Sequence, residues 1–93
     1  MQARALAEAR VDADRMLLAT RSALAVDADL LSANERAEID SLMVSVEDAR
    51  QHGDAATIEA ATKALADGTE AFAAERMNRA IQKALSGKNI EAI

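Results

Sequence analysis

Few residues of this 93-residue chain combine a reactive side chain with a spacing that supports chemistry. The single histidine, His52, precedes Gly53 and could serve as a phosphoacceptor or a metal ligand. A lone histidine at a helix end more often faces solvent and interacts with the helix dipole, and we favour that interpretation. The acidic pairs lack a histidine partner at the Glu-x-x-His spacing of metal sites in helical bundles, so we expect them to be solvated. These pairs are Asp12 with Asp14, Asp27 with Asp29, and Glu47 with Asp48.

Other kinds of catalytic site are also missing from the sequence. The three glycines do not form a phosphate-binding loop, because neither Gly-x-x-x-x-Gly-Lys-Ser/Thr nor Gly-x-Gly-x-x-Gly occurs. No serine lies in a nucleophile elbow. The absence of cysteine excludes disulfides and thiolate metal sites. The sequence therefore predicts no catalytic, cofactor-binding or metal-binding residue, and we do not expect an enzyme.

The charge pattern argues against nucleic-acid binding. The chain has 16 acidic and 11 basic residues, a formal net charge of −5, and one aromatic residue. Every charged residue from Arg76 to Lys88 is basic, including Arg79 and Lys83. Because the whole chain is acidic and poor in aromatic side chains, we interpret these cations as complementing the dipole near a helix C-terminus.

Composition predicts an all-α fold. The chain contains no proline and few β-branched or aromatic residues, which strands prefer. Alanine makes up much of the 51% hydrophobic fraction, so we expect closely packed helices. No apolar run approaches the roughly 20 residues that a membrane-spanning helix needs. With no cysteine and no such span, we expect a cytoplasmic protein that does not enter a membrane.

A middle helix over residues 33–52 has the clearest signals. Ser32 and Glu35 form a predicted capping box, in which each side chain binds the backbone amide of the other residue. Gly53 is predicted to end this helix in the left-handed conformation. Apolar residues follow at helical spacing and define one buried face. They are Ile39, Leu42, Met43, Val46 and Ala49.

The first helix is predicted over residues 1–30 and begins without a capping residue. One apolar face carries Leu6, Ala13, Leu17, Leu24, Ala28 and Leu31, and an adjacent stripe carries Val11, Leu18 and Ala25. This apolar surface is wider than one partner helix would cover. The first half, to about Asp14, is rich in charge, and we expect it to extend past the bundle as an arm.

A third helix is predicted over residues 54–86, with Asp54 as its N-cap and Gly87 at its end. Ile58, Leu65 and Phe72 follow a heptad step, and a later apolar group is shifted by about one position. That group contains Ala73, Met77, Ala80, Ile81 and Ala84. The shift fits either a break near residues 68–72 or one straight helix with a turning stripe. We expect Phe72 and Met77 to fill the core, and residues 87–93 to form a tail.

Together these elements predict an antiparallel bundle of three helices, or of four if the third divides. Three stretches then resemble the C-terminal helical lid of DnaK-type heat-shock chaperones, and most of all that of the HscA branch. They are residues 30–40, 53–59 and 72–87. The resemblance covers essentially the whole chain, including Leu6, Val11 and Arg15 in the first helix.

The resemblance implies a lid that closes over a client peptide and slows its release. The peptide-binding β-sandwich and the ATPase domain, with its ATP and magnesium, would lie upstream in the parent chaperone. The client would be an IscU-like scaffold of iron–sulfur cluster assembly, and an HscB-like protein would be the co-chaperone. In this comparison Asp14 and Arg15 match a latch to the sandwich. The arm would face the sandwich through Leu6, Val11, Leu17 and Leu18.

An alternative interpretation is a free-standing helical adaptor or dimerisation module that uses the exposed stripe of the first helix. Even as a lid, the isolated chain is expected to self-associate through that helix, because an exposed apolar face seeks cover.

Overall fold

The computed structural model describes the backbone of residues 2–92 and the side chains of residues 3–86. The described backbone forms four helices and no strand: α1 (Gln2–Asp27), α2 (Ala33–His52), α3 (Ala55–Gly68) and α4 (Glu70–Ala92). A single 3-10 turn, Ala28–Leu30, connects α1 to α2. The predicted all-α class and the long first helix are confirmed.

Helix α2 begins at a complete capping box. The Glu35 amide donates a hydrogen bond to the Ser32 hydroxyl at 3.1 Å, and the Ser32 amide donates to Oε1 of Glu35 at 2.8 Å. The bond from the Ser32 amide holds the pKa of Glu35 below its ordinary value, because it stabilises the ionised carboxylate. The buried face of α2 consists of Ile39, Met43, Val46 and Ala49.

Gly53 ends α2 in an extended conformation, with φ of −92° and ψ of 167°, so the predicted left-handed cap is wrong. Helix α3 follows at once, and the chain has only Gly53 and Asp54 in which to reverse direction. Asp54 caps α3 by accepting a hydrogen bond from the Thr57 amide at 2.8 Å. A β-carbon on Gly53 would lie 2.8 Å from the Ala49 carbonyl oxygen. Glycine is therefore required here by the close approach of the backbone.

The third predicted helix is divided at Thr69, so the structure shows a break rather than one straight helix. The Thr69 backbone has φ of −108° and ψ of 3°, outside the α-helical range. Its buried hydroxyl donates to the Leu65 carbonyl oxygen at 2.9 Å, which satisfies that group at the end of α3. Helix α4 then continues through Gly87 to Ala92. The predicted helix end at Gly87 and the predicted tail over residues 87–92 are therefore wrong. A single glycine costs a helix only about 1 kcal/mol relative to alanine, so it does not by itself end one. Residue 93 lies outside the described residues.

Helices α1, α2 and α3 form the bundle. Helix α1 runs antiparallel to α2, since Arg21 contacts Glu47 while the earlier Asp14 contacts the later Arg50. Helix α1 packs chiefly on α3, which runs in the same direction. The core of the described chain contains Ala9, Ala13, Leu17, Ala23, Leu24, Ile39, Met43, Val46, Ala49, Ile58, Leu65 and Phe72.

The first half of α1 packs along the bundle, although the sequence predicts an arm that extends past it. Ala9 and Ala13 are fully buried, and Leu6 packs against the core. Alanine lets two helices approach closely, so a stretch that is poor in large side chains can still form a tight contact. Of the charged residues of this stretch, Arg4, Glu8 and Asp12 are exposed, whereas Arg10 and Asp14 contact Arg50 of α2.

Helix α4 leaves the bundle soon after it begins. Phe72 is buried, but all the described side chains from Ala80 to Ser86 are exposed. Met77, predicted as core, is 67% exposed. These side chains are exposed because α1 ends at Asp27, next to the first half of α4, and no described helix runs beside the second half of α4. The described molecule is consequently elongated, with a longest dimension of 60 Å.

Candidate interaction surface

The outer side of α1 carries large apolar side chains that the bundle does not cover. Val11 is 48% exposed and Leu18 is 68% exposed, and Arg15 lies between them on the same side of the helix. Residues 11, 15 and 18 are spaced by four and three positions, which places them on one face. We call these three residues the α1 outer face.

The four apolar residues predicted to face a missing domain are divided between two environments. Leu17 lies in the core of the bundle, and Leu6 is half-buried against it. Val11 and Leu18 remain on the outside. Neighbouring helical residues point about 100° apart, so the consecutive leucines 17 and 18 lie on different sides of the same helix, one buried and one exposed. Only Val11 and Leu18 are therefore available to a further partner.

Asp14 and Arg15, the predicted latch, also differ in their surroundings. Oδ2 of Asp14 accepts a hydrogen bond from Nη2 of Arg50 at 3.0 Å, and Nε of Arg50 donates to the other carboxylate oxygen. This bidentate pair joins α1 to the end of α2. Arg15 is exposed beside a shallow groove lined by Ala7, Glu8, Val11 and Asp12. Asp14 is thus engaged within the bundle, and Arg15 belongs to the α1 outer face.

A salt-bridge cluster fixes α4 to the end of α1. Asp27 is only 7% exposed and accepts hydrogen bonds from Nε of Arg76 at 2.7 Å and from Nη1 of Arg79 at 3.1 Å. Arg79 also binds both carboxylate oxygens of Asp29, at 2.9 and 2.7 Å. The hydrogen bond from Arg76 holds the pKa of Asp27 below its ordinary value, and that from Arg79 does the same for Asp29.

This cluster corrects two predictions from the sequence. The sequence predicts a solvated Asp27, but this side chain is buried and paired. It also predicts that Arg76 and Arg79 lie near a helix C-terminus, but they lie in the first half of α4, far from its end at Ala92. The spacing of three residues between the two arginines was visible in the sequence. Their acidic partners were not, because they lie about fifty positions earlier in the chain.

Of the remaining candidates for chemistry, Glu47 pairs with Arg21 of α1. His52 is exposed at the end of α2. No group of three potential ligands among the described residues is arranged to hold a metal ion. None of the helices in the described chain has the length and apolar character needed to cross a membrane.

The chain is similar over its whole length to curated chaperones. It is 62% identical to the chaperone protein HscA homolog of Delftia acidovorans, 60% identical to that of Paracidovorax citrulli, and 55% identical to that of Burkholderia orbicola. Each alignment covers 100% of this chain and 15% of the relative. The chain therefore spans about 15% of the length of these relatives. No family model matches the chain.

Proposed function

We propose a lid function for this chain, which is a homologue of one part of the HscA homolog chaperones. It would form the C-terminal helical subdomain of a DnaK-type chaperone and close over a client peptide held in an upstream β-sandwich. Closure would slow peptide release during iron–sulfur cluster assembly. The ATPase domain, which would bind ATP and magnesium, would belong to the parent chaperone.

The observation that supports this proposal is the α1 outer face. A helix of a small bundle normally buries one apolar stripe and exposes a polar one. Helix α1 instead buries Leu17 and still presents Val11 and Leu18 to solvent. Apolar side chains on both sides of one helix suit an element that lies between two partners. The bundle is one partner, and the sandwich of the parent chaperone would be the other.

Within this proposal Asp14 and Arg15 would form the latch to the sandwich. Arg15 is exposed on the α1 outer face and would reach an acidic or carbonyl partner without any rearrangement. Asp14 would first have to release Arg50, with which it makes two hydrogen bonds. Opening and closing of the lid would then be coupled to a change of partner for Asp14.

The partners follow from the same proposal. An IscU-like scaffold protein would be the client, and an HscB-like co-chaperone would act on the parent protein. The parent would be cytoplasmic. This segment would contribute neither a catalytic residue nor a cofactor ligand.

The proposal is tested by measuring peptide release from the ADP state of the parent chaperone. Deleting the segment, or changing Val11 and Leu18 together to glutamate, should accelerate release about tenfold, which corresponds to about 1.4 kcal/mol. Val44→Glu is the matched control, because Val44 is a valine of α2 that is 62% exposed and does not belong to the α1 outer face. An unchanged release rate in the deletion variant would contradict the lid function.

A free-standing helical adaptor or dimerisation module is the second candidate, since the α1 outer face would also serve a separate protein partner. The reading frame upstream distinguishes the two. A nucleotide-binding domain encoded there supports the lid, and a start codon without such a domain supports the adaptor.

A further inference from the structure

We propose that the outer side of α4 is a homodimerisation surface, on which the α4 helix of a second copy packs in the antiparallel direction. We define the α4 outer face as Glu70, Ala74, Met77, Ile81 and Ala84. This pairing is separate from the α1 outer face and does not depend on the lid function.

The α4 outer face has no partner among the described residues. Met77 is 67% exposed and Ile81 is 50% exposed, and Leu85 flanks them with the same exposure as Ile81. Phe72, Arg76 and Arg79 attach α4 to the bundle from the other side of the helix. The salt bridges to Asp27 therefore fix which side of α4 points away from the molecule. A contiguous apolar stripe held in this way is typical of an interaction surface.

The spacing of the stripe identifies the occupant as a second copy. Its members follow each other at intervals of four, three, four and three residues, the pattern of helices that pair side by side. An antiparallel pair centred on position 79 places Met77 opposite Ile81 and Ala74 opposite Ala84. Large residues then face large residues, and small residues face small ones. The stripe is therefore complementary to itself.

Charge complementarity favours the same arrangement. The sequence continues the four-residue interval from Ala84 to Lys88. In the antiparallel register the helix position of Glu70 lies opposite position 88 of the second copy. A parallel pair would instead place Glu70 opposite Glu70 of the second copy. Like charges in such positions disfavour pairing.

The shape of the molecule leaves room for this contact. Helix α4 extends beyond the bundle, and its outer face is turned away from α1. In an antiparallel pair the two bundles lie at opposite ends and on opposite sides of the paired helices. The overlap from residue 70 to residue 88 would be about 28 Å long at 1.5 Å per residue. The interface is an isologous one with two-fold symmetry.

Disulfide trapping tests the register. The chain has no cysteine, so single introduced cysteines report only the designed contact. Equal amounts of Met77→Cys and Ile81→Cys chains are mixed in a glutathione redox buffer. The mixed disulfide should exceed either homodisulfide, because positions 77 and 81 face each other. A predominance of homodisulfides, or a yield no higher than that of the exposed control Val44→Cys, would overturn the proposal.

Sedimentation of the 93-residue chain over a range of concentrations tests the surface itself. A monomer–dimer equilibrium is expected, and Ile81→Glu should raise the dissociation constant about tenfold or more, because it places two carboxylates in an apolar contact. Glu70→Lys and Lys88→Glu should each weaken the dimer, and the double variant should restore it. Leu18→Glu tests the alternative that the sequence alone predicts, which is self-association through α1, and it should leave the equilibrium unchanged.

Circular dichroism accompanies each variant and confirms that the bundle remains folded. A chain that is monomeric at every concentration would overturn the proposal. The proposal would also be overturned by a dimer that is insensitive to Ile81→Glu, or by a dimer that only Leu18→Glu dissociates.

Discussion

Asp27 at the end of α1 accepts a hydrogen bond of 2.7 Å from Nε of Arg76 in α4, although the two residues lie 49 positions apart in the sequence. Asp27 is nearly buried, whereas the other salt bridges between helices join exposed or half-exposed side chains. The pair holds the beginning of α4 against the end of α1. It thereby sets the direction in which α4 leaves the bundle.

Removing this carboxylate should loosen α4. Asp27→Ala leaves Arg76 and Arg79 without their buried partner, so thermal unfolding should begin at a lower temperature and the amides of α4 should exchange hydrogen faster. Asp67→Ala is the control, because Asp67 pairs with Lys63 in the same helix, where both side chains are exposed. Equal effects of the two substitutions would show that the Asp27 pair does not hold α4.

Stability should also depend on pH through the same carboxylate. The hydrogen bond from Arg76 lowers the pKa of Asp27 in the folded state below the ordinary value of 3.8. A group whose pKa is lowered by folding stabilises the fold above its unfolded pKa, and this contribution is lost as the pH falls through the folded pKa. The denaturation midpoint in urea should therefore fall as the pH drops below about 4 towards the folded pKa of Asp27. Asp27→Asn should show a shallower decline, and a profile parallel to that of the unsubstituted chain would contradict the assignment.

The capping box of α2 gives a prediction with a clear magnitude. Ser32→Ala removes the acceptor for the Glu35 amide and should lower the free energy of unfolding by about 1 kcal/mol. Ser45→Ala is a suitable control, because Ser45 is exposed in the interior of the same helix, where alanine is the better helix former. Urea denaturation of the two variants should give changes of opposite sign. A neutral Ser32→Ala would mean that the cap contributes little to this bundle.

The two glycines near helix ends should respond differently to alanine. Gly53→Ala places a β-carbon 2.8 Å from the Ala49 carbonyl oxygen and 3.0 Å from the Thr57 γ-methyl group, and should cost about 1–3 kcal/mol. Gly68→Ala would meet only the end of the Leu42 side chain, which can turn away. It also gains up to about 1 kcal/mol of helix propensity. Thermal unfolding should therefore show a clear loss at position 53 and a small change at position 68, and the reverse order would contradict the close approach at Gly53.

Local interactions made much of the fold predictable. The beginning of α2 follows from the Ser32–Glu35 capping box, and its end at Gly53 was predicted correctly although Gly53 is extended and not left-handed. The apolar spacing of α2 identified Ile39, Leu42, Met43, Val46 and Ala49, of which Leu42 is half-buried and the other four are buried. The similarity to HscA-type chaperones was also readable from the order and spacing of short stretches. Each of these features depends on residues that are close together along the chain.

The sequence by itself thus determined that this chain is helical and which residues are apolar on each helix. Only the tertiary structure decided which apolar faces are covered: Leu17 enters the core while Leu18 stays outside, and Phe72 is buried while Met77 is exposed. It also decided that Asp27 accepts a hydrogen bond from Arg76. The physical reason is that the spacing of apolar residues shows which face of a helix is apolar but not which helix packs against that face. That choice depends on where distant helices end relative to one another.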